Sequence, residues 1–97
     1  MSHAEGERSK ASGQGSHAEG LETQASSSYT HAEGEKSIAS GYASHAEGHS
    51  SASAAFAHSE GTGKATKNYS HAEGAAAQAN GIASHAEGFN TIASADY

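Results

Sequence analysis

Ser16-His17-Ala18-Glu19-Gly20-Leu21-Glu22-Thr23-Gln24-Ala25-Ser26-Ser27-Ser28-Tyr29 is one fourteen-residue unit, and the chain repeats it with small changes throughout. Its first five residues, Ser-His-Ala-Glu-Gly, also start at Ser2, Ser44, Ser70 and Ser84. A Thr variant starts at Thr30, and a degenerate Ala-His-Ser-Glu-Gly starts at Ala57. The histidines His3, His17, His31, His45, His58, His71 and His85 are therefore spaced by 14, 14, 14, 13, 13 and 14 residues. A fixed period of this length is the signature of a stacked repeat architecture.

A weaker pentapeptide lies between the strong ones: Ser9-Lys10-Ala11-Ser12-Gly13, Thr23-Gln24-Ala25-Ser26-Ser27 and Ser37-Ile38-Ala39-Ser40-Gly41. It continues as Ala77-Gln78-Ala79-Asn80-Gly81 and Thr91-Ile92-Ala93-Ser94-Ala95. Both halves read small-x-Ala-x-small and are separated by two residues. The alternation has the strand period of two, so Ser2, Ala4 and Gly6 face one way and His3 and Glu5 the other. Two such strands can stack closely, giving a thin roll with Ser, Ala and Gly inside. The expected core is Ala4, Ala11, Ala18, Ala25, Ala32, Ala39, Ala46, Ala72, Ala79, Ala86 and Ala93. Gly at the end of a pentapeptide suits a corner. The absence of proline suits unbroken ladders.

The two 13-residue spacings test the scheme. Alignment places the missing residue in one corner, at Phe56 and at Tyr69, with both strands kept. A helical alternative exists, because Ala recurs every seven residues as in an Ala-seamed coiled coil. Gly recurs at the same period, however, and each Gly inside a helix costs about 1 kcal/mol. The predicted fold is all-β: a parallel β-roll of seven coils with two short strands each, over residues 1–97 as a single domain.

Composition alone points elsewhere. Leu21, Ile38, Ile82, Ile92, Phe56 and Phe89 are the large aliphatic residues and phenylalanines, Val and Trp are absent, and the net charge is -6. That is the profile of a disordered segment. Ala buries little area at roughly 25 cal/mol per Å², so a lone chain gains by associating with copies of itself. Cysteine is absent, which excludes disulfides and thiolate sites. Five basic against eleven acidic residues argue against nucleic acid binding. No apolar run approaches a membrane span. Met1-Ser2-His3 lacks a basic and apolar leader, so no signal peptide is expected. The repeat boundaries at both ends suggest a fragment of a longer fibrous protein.

These pentapeptides resemble the head repeats of trimeric autotransporter adhesins, the YadA-like heads, whose unit is also Ser-x-Ala-x-Gly twice per fourteen residues. The resemblance covers the whole chain. It implies a left-handed roll, three chains side by side about a threefold axis, and a place at the cell surface or outer membrane. Similar repeats occur in phage tail fibres, which implies a virion tail as the alternative setting. Family heads usually carry Val and Ile where His and Glu stand here.

Stacked coils repeat at about 4.8 Å, so seven make a rod roughly 34 Å long. Along one face run His3, His17, His31, His45, His58, His71 and His85, with Glu5, Glu19, Glu33, Glu47, Glu60, Glu73 and Glu87 beside them. Pairing of His with Glu, between coils or between chains, would relieve like-charge repulsion. It would lower the Glu pKa and raise that of His. Repetition without variation points to a partner that repeats identically, and this face is expected to be the homotrimer interface. The other strand varies (Lys10, Gln24, Ile38, Ala52, Ala65, Gln78, Ile92), as a solvated face would.

Several other readings follow from the same residues. His and Glu are ligands for zinc-like ions, so a metal-binding column is an alternative, although no cofactor is required. An ice-binding ladder would use Ser9, Thr23, Ser37, Ser51, Lys64, Ala77 and Thr91, an irregular set. Catalysis is not expected, because Ser2 and His3 point to opposite faces. His49 lies outside the column, at a solvated corner. Tyr29, Tyr42, Phe56, Tyr69 and Phe89 fall at corners with Leu21 and Ile82, covering an edge or offering an adhesive stripe to a host protein or glycan. The expected role is structural or adhesive.

Overall fold

The computed structural model describes residues 2–97. Every regular element in it is a short strand, and all strand pairs are parallel. The first sheet stacks β1 (His3–Glu5), β3 (His17–Leu21), β5 (His31–Glu35), β7 (His45–Gly48), β9 (His58–Gly61), β11 (His71–Gly74) and β13 (His85–Glu87) in chain order. The second stacks β2 (Lys10–Ala11), β4 (Gln24–Ala25), β6 (Ile38–Ala39), β8 (Ser51–Ala52), β10 (Lys64–Ala65), β12 (Gln78–Ala79) and β14 (Ile92–Ala93). The chain is thus a parallel β-solenoid whose successive rungs alternate between two sheets. It measures 35 × 22 × 10 Å, in keeping with the spacing of stacked strands and with an interior of small side chains.

The interior is a double column of alanines. Ala18, Ala32, Ala46, Ala72 and Ala86 of the first sheet face Ala25, Ala39, Ala52, Ala65 and Ala79 of the second, each at most 4% exposed. Ala4 is exposed, and Ala11 and Ala93 only half-buried, contrary to their expected place in the core. Each lies on a terminal rung, where one side of the stack has no neighbour. Ser59 occupies the alanine position of β9 and donates to Ser50 Oγ at 3.0 Å.

Hydroxyls flank the alanines and are buried too. Ser16 donates to the Gly13 carbonyl at 2.6 Å, Thr30 to Ser27 at 2.7 Å and Ser70 to Lys67 at 2.6 Å. Across the roll, Ser37 donates to the Glu33 carbonyl and Ser50 to that of Glu47, both at 2.8 Å. The first residue of most pentapeptides is therefore small and hydroxylic for a reason, the exceptions being Ala57, Gly63 and Ala77. It fills the narrow end of the interior while its hydroxyl hydrogen-bonds a backbone carbonyl.

Register corrects the placement of the two shortened units. Ser51 pairs with Ile38 and with Lys64, and Ala52 pairs with Ala39 and Ala65. The missing residue therefore lies in the corner after the strong glycine, which His49 and Thr62 each cross alone. The corners at Ala55–Phe56 and Asn68–Tyr69 keep both residues. Backbone geometry agrees. The second corner residue is left-handed at Arg8, Glu22, Lys36, Ala76 and Asn90, and no such residue occurs at the two single-residue corners. Phe56 and Tyr69 do adopt it, at φ 60° and 62°.

This register moves two further columns. Ala52 and Ala65 point inward, and the varied outer column runs through Ser51 and Lys64 instead. The proposed ice-binding ladder faces the interior: Thr23 and Ser37 are fully buried, and Ser50 and Gly63 hold the positions given to Ser51 and Lys64.

The strong glycines do not line the core as the simple alternation suggests. Gly20, Gly34 and Gly48 are exposed and have φ of 118°, 107° and 86°. The positive φ at each lets the backbone approach the glycine of the next rung closely, where a Cβ would clash.

Candidate functional site

In-register parallel pairing puts identical residues above one another: His17 on His31, His31 on His45, Glu19 on Glu33, Glu33 on Glu47. Successive imidazoles stack with centroids 4.6–4.8 Å apart, and their planes are within 4° at the centre of the column. The rung spacing of the sheet thus fixes the ring spacing.

His and Glu pair within a strand, not between coils. Residues two apart share a face, and their long side chains lean together. His31 Nε2 lies 3.2 Å from Glu33 Oε2, and His45 Nε2 is 3.2 Å from Glu47 Oε2. The same contact is 3.4 Å in His58–Glu60, 3.6 Å in His71–Glu73 and 3.3–3.4 Å in the remaining pairs. Side chains of His17 to His71 are 34–38% exposed, whereas His3 and His85 at the ends are 58% and 54% exposed. Nε2 of His17 and of His71 is shielded from solvent without a hydrogen bond of good geometry.

The electrostatics differ from the expected pattern at one residue. A hydrogen bond from His31 holds the Glu33 carboxyl below its ordinary range, helped by the neighbouring Glu47. His45 is not raised. Burial in the stack, then the charges of His31 and His58, push its imidazole below the ordinary value, and the Glu neighbours do not offset this. His45 therefore resists taking up a proton.

An open groove runs along the first sheet between the Glu column and the glycine column, from Glu5 and Gly6 to Glu87 and Gly88. On the edge before the His column, Tyr29, Tyr42, Phe56 and Tyr69 form a ladder with ring centroids 5.1–5.7 Å apart. Each of these rings is 46–61% exposed, and Ile82 continues the row. Leu21 and Phe89 lie on the opposite edge, so the corner residues form two groups instead of one. His49 is exposed at its corner, with Nδ1 4.0 Å from Glu35. Among the described residues, no helix is long and apolar enough to cross a membrane.

No family model, curated protein or solved structure matches the chain.

Proposed function

We propose that the chain is a rigid segment of a trimeric surface fibre, in which three copies of a left-handed roll pack through their His/Glu faces. The observation that carries this reading is the contrast between the two sheets. One presents the same half-exposed His-Glu pair on every rung, while the other presents Lys10, Gln24, Ile38, Ser51, Lys64, Gln78 and Ile92. A solvated face has no physical need for invariance, whereas a face against a copy of itself does. An interior of alanine, glycine and hydroxyls also leaves an isolated chain with little apolar burial.

The likeness of the pentapeptides to adhesin head repeats supports the surface setting and a non-enzymatic, spacing or adhesive role. A phage tail fibre is the alternative setting, and flanking sequence separates the two. In either, the exposed aromatic ladder is the edge offered to a host protein or glycan.

The test is the solution mass by light scattering at neutral pH. Three times the chain mass supports the assembly. Replacing His31, His45 and His58 together by Ala should then abolish it, while a single replacement is tolerated. A folded monomer would sink the reading.

A further inference from the structure

The geometry points to a divalent-cation site built from one Glu and the two stacked His beside it, repeated along the column so that adjacent sites exclude one another. Among the described residues there are four overlapping ligand sets: His31/Glu33/His45, His45/Glu47/His58, His58/Glu60/His71 and His71/Glu73/His85. Within each set the ring nitrogens and carboxylate oxygen lie within 4.8 Å of one another. Two imidazoles and a carboxylate are a ligand set for zinc-like ions, leaving one tetrahedral position open. A neutral imidazole with its proton on Nδ1 presents the Nε2 lone pair to the ion. Nε2 of His71 is shielded from solvent, makes no hydrogen bond and lies 3.6 Å from Glu73 Oε2, so no protein donor occupies it.

Two features make neighbouring sites compete. Each His offers a single ligand nitrogen, and His45, His58 and His71 each belong to two sets. The second is steric. Zinc lies about 2.0–2.1 Å from each imidazole nitrogen, so two nitrogens on one ion are at most about 4.2 Å apart. Rings stacked at 4.6–4.7 Å must tilt together to reach that separation, which draws each away from its other neighbour. Filling one set therefore disables the next.

Four sets linked by three shared histidines can hold two ions per chain and no more. All three ligands of each set come from one chain. The same arithmetic gives an unusual variant series. His58→Ala removes the two central sets and leaves the outer two, which share nothing, so two ions still bind. His45→Ala or His71→Ala leaves two sets with a histidine in common, so one ion binds. His45→Ala combined with His71→Ala leaves none.

The experiment is equilibrium dialysis of each protein against Zn²⁺ alone, with metal and protein quantified, circular dichroism to verify folding, and mass by light scattering in the same samples. Zinc counts of two, two, one, one and none for wild type, His58→Ala, His45→Ala, His71→Ala and the double variant are expected. Four ions on the wild type, none, or a loss of one ion in His58→Ala would overturn the exclusion rule. A count below one per chain, with mass rising on zinc addition, would mean that ligands come from different copies and would overturn the single-chain site. The trimer reading is judged by mass without zinc, so the two proposals fail separately.

Discussion

Gly34 stacks on Gly48 so closely that a methyl group on Gly34 would lie 2.8 Å from the Gly48 amide nitrogen and 2.9 Å from its Cα. Both are backbone atoms that cannot swing aside, and Gly34 also has a φ of 107°. Gly34→Ala should therefore destabilise the solenoid by about 3 kcal/mol or more. Gly15→Ala is the control, because its Cβ would meet only the Tyr29 ring, at 3.1 Å. It should lose about 1 kcal/mol, from φ alone. Denaturant midpoints of the two variants measure the difference.

Acid should weaken the fold from two directions. The folded pKa of Glu33 lies below its ordinary 4.5, so its contribution is present above that pH and is lost as pH falls through the folded value. The folded pKa of His45 is also depressed, so protonation favours the unfolded chain once pH drops below the ordinary 6.5. Neither group penalises the fold above pH 7, so their joint contribution is greatest at neutral pH and above. Melting temperatures from pH 4 to pH 8 should rise with pH across the His range. The rise should be smaller in His45→Gln. A maximum near pH 5.5 would contradict this.

Ala76 occupies a left-handed corner at φ 60° and is exposed. Left-handed backbone crowds Cβ against the following carbonyl. Ala76→Gly should raise stability by up to about 1 kcal/mol, the relief exceeding the entropy that glycine adds to the unfolded chain. Thermal melts of the two proteins, compared at one pH, decide this.

The interior should tolerate no added volume. Ala39 is fully buried in a body only 10 Å thick. Ala39→Leu would force the two sheets apart and should cost at least about 3 kcal/mol, at the upper end of overpacking penalties. Ala93→Leu, on the half-open last rung, should cost much less. Equal losses at both positions would argue against a closed interior.

The repeat makes most of the fold legible in the sequence. Alternation places Ala18, Ala25 and their counterparts inside and His and Glu outside, because a strand has only two faces. What it could not place is the single-residue corner. Phe56 and His49 both sit beside serines and alanines that align equally well one step away, and only the ladder of Ser51 with Ile38 decides between them. The direction of His–Glu pairing was likewise hidden, since spacing puts Glu33 equally near partners in its own strand and in the next. The depressed pKa of His45 depends on ring stacking, which sequence shows only as a repeated letter.

The strands lie across the rod and their hydrogen bonds run along it, as in His3 N–Ser16 O and His17 N–Thr30 O. Tension applied end to end therefore falls on one inter-rung set of bonds at a time, and the rungs would peel in sequence like a zip. A sheet pulled parallel to its strands shares the load among many bonds at once, and this chain has no such direction along its length. A single copy is a stiff strut under compression and a weak tether under pull. Any fibre that must hold against flow would need neighbouring copies, out of step with one another, to carry the force that each rung junction cannot.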